Sequence, residues 1–585
     1  MSVVETPTPS VLPGATLTEI TLDADRRRNG PYTLAADLLG LLVPEAAPEL
    51  VAAHDIEILA AAPGLRASVP AGRVSLVERL PQGERILVPA RLRTLRLANG
   101  LAEFVRDHLR ARGPLAVRVL NAREADPTDT ELVAVLRRRV PAELLTIALD
   151  PAFVVPGPSG VPVREADLDR YRNEGFHHAM AEAGAALLPT LAEDGEEWWR
   201  LLHRTTTALA ALDREDEARV LLDHARRVSV HPKHRATAAY ATAMLLVRHH
   251  DPGERDPEEA MAWINEAVAL TSLLPDRRER AFHLGFDLNG KALVEVRRGN
   301  AEIALRLVQE AIELAERDLE PGRHPVHKAV LRANRAQLAA LMGDAEGALA
   351  DLGAVIAADP GYADPYLDRG NLLHRLGRLE EALADYETAM RVGPPFPEPY
   401  YNRSEIRYTW GDLAGALADL DHAIELDPGF TDAYVNRAGL LVALDELDRA
   451  RADAERDLDN PYLLCVLGQI EAAQGKWVKA RKAYDSALRR DPRLAAVWAG
   501  RGALAFEEGD HERSIADLTR AIELEESAAA LFNRSLALRM AGRAERARAD
   551  LRRARELAPD DEDVRRALAE LAEPQDVRRA PAELG

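Results

Sequence analysis

Two stretches of the chain decide its fold because they repeat one pattern. Residues 362–394 read YADPYLDRGNLLHRLGRLEEALADYETAMRVGP, and residues 396–428 read FPEPYYNRSEIRYTWGDLAGALADLDHAIELDP. Small side chains and a proline recur 34 residues apart, which predicts two helices per repeat that approach closely at the small positions. The proline ends the second helix and prepares the next turn. The recurring residues are Gly370, Ala382, Ala389 and Pro394, then Ser404, Ala416, Ala423 and Pro428.

The same period extends over seven consecutive units. They begin at residues 329, 363, 397, 431, 461, 495 and 528, so one unit is shortened and an irregularity is predicted near Asn460-Pro461. This pattern resembles the tetratricopeptide repeat, and the resemblance implies a right-handed superhelix of helix pairs. Looser helical patterns extend the predicted array to residues 199–561; they lie at 216–228, 258–268 and 300–312.

The resemblance also implies a groove that binds extended peptides, lined by the first helix of each repeat. Asn recurs at the sixth position of four units, and an amide can both donate to and accept from a peptide main chain. The alternatives are that these amides cap or bridge neighbouring helices and that the charged positions form only a solvated face. The candidate groove residues are Asn334, Asp368, Asn371, His374, Tyr401, Asn402, Glu405, Tyr408, Asn436 and Asn533.

Residues 16–150 precede the array and alternate strand-like with helix-like runs. This alternation predicts a small α/β layer with parallel strands. The predicted strands are Leu17–Leu22, Leu115–Leu120 and Glu143–Leu149, and the predicted helices are Thr33–Leu42, Leu92–Arg110 and Thr130–Arg139.

The segment LAVRVLNAREADPTDTELVAVLRRRVPAELLTIAL (115–149) resembles the second half of the ATPase core of signal-transduction ATPases. The resemblance implies a phosphate loop before the helix at Thr33. However, Tyr32 stands where the phosphate-binding Lys belongs, and Leu120 and Asn121 stand where an acidic residue would hold Mg²⁺. We therefore expect a degenerate P-loop-like domain. Its candidate nucleotide-site residues are Arg28, Gly30, Tyr32, Thr33 and Asn121.

Arg26, Arg27 and Arg28 leave residual nucleotide binding open, because a helix N-terminus with nearby arginines attracts anions. A solvated arginine run is the alternative interpretation. The histidine pairs at 177–178, 231/234, 249–250 and 324/327 lack a neighbouring Cys or carboxylate cluster in the sequence, so no metal is predicted. The single cysteine, Cys465, has no recognisable His partner and is interpreted as packing.

The predicted fold class is mainly α: a tetratricopeptide superhelix preceded by a smaller α/β domain. The predicted segments are a flexible N-terminus (1–15), the ATPase-like domain (16–150), a helical connector (151–198), divergent repeats (199–328), seven well-formed repeats (329–561), and a C-terminal capping helix with a tail (562–585).

Charge and composition narrow the range of functions that the chain can have. The net charge is −21, and residues 1–150 carry 18 Lys and Arg against 19 Asp and Glu, so the array is strongly acidic and direct binding of nucleic acid is not expected. One cysteine, no export signal and no apolar span predict a cytoplasmic chain that does not enter a membrane. The few lysines and the Ala-, Leu- and Arg-rich composition suggest a bacterial source.

The predicted function is a non-enzymatic adaptor or regulator that binds an extended protein or peptide of basic or polar character, without a cofactor or metal. Two alternatives stay open: a nucleotide-responsive signalling ATPase, and an accessory protein or cryptic enzyme that acts on a peptide. Homo-oligomerisation is also left open.

Overall fold

The computed structural model describes residues 18–73, 90–150, 165–320 and 322–572. The backbone divides into two compact units, the first of residues 1–406 with 425–427 and the second of residues 407–424 with 428–585. Leu17, the first residue of a predicted strand, and the predicted flexible N-terminus lie outside the described residues.

A three-stranded parallel sheet forms the α/β part of the first unit. Its strands are β1 (Thr18–Asp23), β2 (Leu115–Leu120) and β3 (Leu145–Leu149), in the order β1-β2-β3. Parallel neighbours need a crossover, and helices supply it in both connections. The helices are α1 (Thr33–Leu42), α2 (Pro48–Ala53), α3 (Asp55–Ala61) and α4 (Ala90–Arg112) before β2, and α5 (Pro127–Arg139) before β3. The predicted α/β layer with parallel strands is confirmed.

The core of the sheet continues into the first helices that follow it. Val119 of β2 and Leu101 of α4 are each 1% exposed, and they belong to the same buried cluster as Trp198 and Leu202. This shared apolar core stabilises the α/β part against the start of the helical region, because burial of apolar surface is the main favourable contribution to folding.

From residue 165 onward the described chain is helical, which confirms the predicted fold class. No helix of the described residues is long and apolar enough to cross a membrane. The helices are α6 (Glu165–Asn173), α7 (His177–Leu187), α8 (Glu196–Ala210), α9 (Glu215–Val228), α10 (Pro232–Arg248), α11 (Pro257–Ser272), α12 (Arg277–Arg297), α13 (Ala301–Asp318), α14 (Pro325–Leu341), α15 (Ala345–Ala358), α16 (Asp364–Arg375), α17 (Leu379–Val392), α18 (Pro397–Thr409), α19 (Leu413–Leu426), α20 (Thr431–Ala443), α21 (Leu447–Ala454), α22 (Pro461–Ala473), α23 (Trp477–Arg490), α24 (Ala495–Glu507), α25 (His511–Leu524), α26 (Ala528–Met540), α27 (Ala544–Leu557) and α28 (Glu562–Ala572).

The recurring small residues lie where the two helices of a repeat touch. A Cβ added to Gly370 of α16 would lie 2.6 Å from a ring carbon of Tyr386 of α17. Ala382 and Ala389 are fully buried, and Ser404 is 2% exposed. Larger side chains at these positions would separate the helices, so the repeating pattern follows from packing.

The turn inside each repeat has a fixed backbone shape. Gly377 adopts φ +73° between α16 and α17, and the following N–H, of Arg378, donates to the carbonyl of Leu373 at 2.9 Å. Glycine adopts positive φ without steric cost, which makes it the usual residue for ending a helix in this way. The unit that begins at residue 431 has Asp445 at this position with φ +61°.

The predicted irregularity at Asn460-Pro461 is present. Helix α21 has 8 residues, whereas α17 has 14. Helix α22 then begins at Pro461, and the side chain of Asn460 accepts hydrogen bonds from the backbone N–H groups of Tyr462 and Leu463. The second helix of this repeat is therefore shortened, and a standard N-cap starts the next repeat.

Helix α4 also contacts repeat helices of the first unit. Arg96 forms an ion pair with Asp364 at 3.0 Å, and its guanidinium lies 4.0 Å from the ring centre of Phe396. The side chain of Asn99 donates to the carbonyl of Leu426 at 3.0 Å, and Arg139 of α5 pairs with Glu425 at 2.9 Å. These polar contacts fix the α/β part on the array within the first unit.

Candidate peptide-binding groove

The repeats contain a recurring ion pair between their two helices. In at least five of the seven units, the Arg at the seventh position pairs with an Asp 16 residues later, on the second helix of the same repeat, through two hydrogen bonds of 2.5 to 2.8 Å. These ion pairs were not predicted from the sequence, although their constant spacing of 16 residues was the signal. They are Arg335–Asp351, Arg369–Asp385, Arg437–Asp453, Arg501–Asp517 and Arg534–Asp550.

Five of the ten predicted groove residues line one cavity of about 380 Å³ in the first unit. Its other lining residues include Gln337 and Arg375 as well as small and apolar side chains of α14, α15 and α16. No described residue of the α/β part lines this cavity. The five predicted residues are Asp368, Asn371, His374, Asn402 and Glu405.

Two asparagines of the cavity are joined by a hydrogen bond. The amide nitrogen of Asn402 donates to the Oδ1 atom of Asn371 at 2.6 Å, and the hydroxyl of Tyr386 donates to the same oxygen at 3.0 Å. The hydrogen bond between Asn402 and Asn371 bridges neighbouring helices, which was an alternative role for these amides in the sequence analysis. Within the described residues, Nδ2 of Asn371 and Oδ1 of Asn402 have no hydrogen-bond partner, so one donor and one acceptor are available to a ligand.

Asn334 lies in a second cavity, of about 450 Å³, rather than in the first. Its amide nitrogen donates to Oδ1 of Asn289 at 2.8 Å, which repeats the Asn–Asn contact of the first cavity. Gln337, Ala340 and Arg375 line both cavities, so the two are adjacent along the first helices of consecutive repeats.

The charged side chains of the first cavity are two carboxylates, of Asp368 and Glu405, and one guanidinium, of Arg375. Burial, together with the charge of nearby Asp364, raises the pKa of Asp368 to about 6. His374 lies with Nδ1 3.9 Å from a carboxylate oxygen of Glu405. Asp368 is therefore largely ionised at neutral pH and protonated in mild acid, and the ionised cavity favours a basic group.

The remaining predicted groove residues do not line these two cavities. The backbone carbonyl of Tyr401 accepts from the hydroxyl of Ser404 at 2.6 Å. Tyr408 is 56% exposed in the second unit, where Asn436 lies on α20 and Asn533 on α26. Their role in a groove stays a prediction.

At the candidate nucleotide site, the start of α1 is occupied by a carboxylate of the protein. Asp129 of α5 accepts hydrogen bonds of 3.0 Å from the backbone N–H groups of Leu34 and Ala35, and the N–H of Tyr32 donates to the hydroxyl of Thr128 at 3.0 Å. Helix N-termini favour an anion, and here Asp129 supplies it. This contact could not be predicted from the sequence, since its partners lie more than 90 residues apart.

The other residues of this site are also engaged by protein groups. Tyr32 is fully buried with its ring against Phe176, at a centroid distance of 5.6 Å. Thr33 donates its hydroxyl to the carbonyl of Gly30 at 2.7 Å. Arg28 pairs with Asp37 at 3.0 Å, and the Asn121 amide donates to Asp23 at 2.8 Å.

Two of the histidine pairs have an acidic partner that was not predicted from the sequence, and one of these is Asp194, 3.6 Å from Nδ1 of His234. The fold places Glu215 beside His249 and His250, with one possible ligand atom from each of the three within 4.8 Å of the others. No carboxylate cluster was expected beside this pair from the sequence, and the single carboxylate of Glu215 comes from a different helix, α9. Glu215 lies 34 residues before His249, and only the packing of α9 against α10 brings them together. Cys465, in contrast, is 6% exposed in an apolar cluster, and burial raises the pKa of its thiol to about 12.

The comparisons with known proteins identify the repeats. Sequence profiles described as tetratricopeptide repeat match residues 339–400, 397–430, 465–525 and 501–562. No curated protein matches the chain.

Several solved structures are similar to it. A tetratricopeptide repeat protein from Parabacteroides merdae is 20% identical, with 42% of this chain and 99% of that chain covered and a TM-score of 0.38. Yeast Tom70 is 15% identical, with 68% and 95% covered and a TM-score of 0.35. A chain of the APC/C hetero-tetramer Cut9-Hcn1 is 13% identical, with 70% and 97% covered and a TM-score of 0.34. Residues 339–430 and 465–562 of this chain are thus tetratricopeptide repeats.

Proposed function

We propose that this protein is a non-catalytic adaptor that binds an extended segment of a partner protein in the cavity of the first unit. The observation that carries the proposal is the gathering of Asp368, Asn371 and Asn402 in one cavity, with an amide donor and an amide acceptor left for a ligand. A peptide main chain presents one acceptor and one donor per residue. A segment of any amino-acid sequence can therefore form hydrogen bonds with this amide donor and amide acceptor.

The charge of the cavity selects among partners. Two carboxylates, of Asp368 and Glu405, line it against one guanidinium, of Arg375, and the chain as a whole carries −21. A segment with Lys or Arg near its centre gains from both the local carboxylates and the overall field, whereas an acidic segment is repelled. We infer a basic or polar partner segment.

Affinity capture with paired variants tests the proposal. The bound protein is first identified with the wild-type chain as bait, and its affinity is then measured with N371A/N402A and with Q474A. We expect the double variant to bind about tenfold or more weakly, since both amides that contact the main chain are lost. Q474A is the control because Gln474 is an amide that belongs neither to this cavity nor to the candidate groove residues. Equal affinity of the double variant and the wild type would reject the proposal.

We further propose that the α/β part keeps the layout of a nucleotide site without binding nucleotide. Support comes from Asp129, whose carboxylate accepts the N–H groups at the start of α1 that a phosphate would need. Addition of ATP and Mg²⁺ should leave the melting temperature unchanged. A concentration-dependent rise in Tm that is lost in an R26A/R27A/R28A variant would contradict this part of the proposal.

A further inference from the structure

The turn between α10 and α11 is longer than the repeat fold requires. It comprises residues 249–256, eight in all, whereas every other turn inside a described repeat has three or four residues. The turn is ordered by its own contacts: Arg255 donates to the carbonyl of His249 at 2.9 Å, and Asp251 accepts from the N–H of Gly253 at 2.8 Å. The extra residues hold His249 and His250 in place.

These two histidines lie over the first residue of α9. Glu215 is 8% exposed, and its carboxylate oxygens lie 3.1 Å from Nδ1 of His250. The rings of His249 and His250 stack with centroids 4.7 Å apart. Two imidazoles and one carboxylate therefore share one small volume, which we call the Glu215 cluster.

The surroundings of the Glu215 cluster favour a cation. Asp213 and Asp251 both interact electrostatically with His250. Glu215 and Asp213 also line a cavity of about 510 Å³, which leaves room beside the cluster for water or another small ligand. Imidazole nitrogen and carboxylate oxygen are the ligand set that zinc takes, commonly with three protein ligands and a water.

We propose that Glu215, His249 and His250 bind one zinc ion or a related divalent transition metal. The ion takes one nitrogen from each imidazole and a carboxylate oxygen of Glu215, and water completes its coordination. Nδ1 of His249 accepts from the backbone N–H of Asp251 at 3.2 Å, so coordination through this nitrogen replaces that hydrogen bond. A bound metal would tie the long turn to the start of α9.

The alternative is a metal-free role for the cluster. Glu215 also accepts the backbone N–H of His250 at 3.1 Å, so the same contacts could serve only to hold the turn against α9. The two interpretations differ in one respect that an experiment can measure, namely specific uptake of a metal ion.

Isothermal titration of the tag-free, chelator-treated full-length chain with Zn²⁺ tests the proposal, with Co²⁺ absorption spectra as a second readout. We expect one equivalent to bind with an affinity that falls about tenfold or more in H250A and in E215Q, because each variant removes a ligand. H178A, which alters an exposed histidine of another adjacent pair, is the control and should bind like the wild type.

His250 has a half-exposed side chain, so H250A is expected to fold, and circular dichroism checks this point. The proposal is overturned if the wild type shows no saturable one-to-one phase, or if folded H250A binds zinc as tightly as the wild type. The result is independent of peptide capture, because none of the three residues lines the cavity proposed for the partner.

Discussion

At the scale of single residues, Asp129 has a clear structural role at the start of α1. Its carboxylate is 1% exposed and accepts two backbone N–H groups at the start of α1. Burial raises its pKa to about 7, against which the hydrogen bonds from Leu34 and Ala35 act. The residue thus does for α1 what a bound phosphate would do in a working nucleotide site.

Removing this carboxylate should weaken α1 locally. We expect D129A to lower local stability by about 1–3 kcal/mol, because two buried N–H groups lose their acceptor. Hydrogen exchange of the amides of Leu34 and Ala35 measures the effect directly. T130A is a nearby control on α5, since the hydroxyl of Thr130 donates to the carbonyl of Asp126 at the start of its own helix. Unchanged exchange in D129A would show that the contact contributes nothing.

The pKa of Asp368 gives the cavity a pH dependence. The folded-state pKa is about 6 compared with an ordinary 3.8, so the carboxylate gains its charge mainly between pH 5 and 7. Capture of a basic partner should therefore strengthen over that range and change less in D368N. Measuring affinity at pH 5 and at pH 7 for both proteins checks this; identical pH profiles would refute it.

The effect of rising pH on folding stability has the opposite sign to its effect on partner affinity. The folded chain holds the proton of Asp368 more tightly than the unfolded chain does, since its pKa is raised. Its contribution to stability therefore falls as the pH rises from about 4 to about 6. Gain of partner affinity and loss of stability over overlapping pH ranges is a signature of an acidic group placed for binding.

At the scale of helices and repeats, the Arg–Asp pairs join the two helices of a repeat. Arg501 pairs with Asp517 of its own repeat and also with Asp485 of the preceding one, both at about the distance of a charge-assisted hydrogen bond. Arg437 makes the equivalent two contacts with Asp453 and Asp421. The array is held by this ion-pair series as well as by its small-residue contacts.

The chain itself provides a comparison for these pairs. In the unit that begins at residue 461, Leu467 and Ala483 occupy the positions of the Arg and the Asp. We expect R501A to destabilise the second unit by about 3 kcal/mol, because it leaves Asp517 unpaired at 5% exposure. The double variant R501L/D517A, which copies the 461 unit, should cost less. Urea unfolding compares the two, and an R501A effect no larger than that of the double variant would contradict the argument.

The repeats were predictable from the sequence because their signal is local. Gly370, Ala382 and Gly377 each act within one helix pair, so a fixed spacing reveals them. The parallel strands were predictable for the same reason. Their apolar runs are short and bounded, and only their exact ends differ by a few residues from the expected ones.

At the scale of the whole molecule, the contacts that the sequence could not reveal are those between distant segments. Asp129 reaches α1 across more than 90 residues, and Glu215 meets His249 and His250 only because α9 packs on α10. Half of the predicted groove residues were placed together in one cavity because they repeat at fixed helix positions. Which of these residues contact a partner depends on the chemistry of that partner, and the spacing of the repeats does not determine it.

The docking of α4 on the array also belongs to this scale. Arg96 and Asn99 contact repeat residues of the first unit, yet no described residue of the α/β part lines the candidate cavity. The described residues of the α/β part therefore leave the cavity open, and a separate partner can enter it without displacing them.

The most direct test of the central claim is site-specific photo-cross-linking to the captured partner. A photoreactive side chain at Gln337, an exposed residue that lines both adjacent cavities, should cross-link the partner, and the same group at Val220, 67% exposed on α9 of the same unit, should not. Cross-linking from position 337 that is lost in N371A/N402A is the predicted result. Cross-linking from position 220 but not from position 337 would place the partner elsewhere and contradict the account.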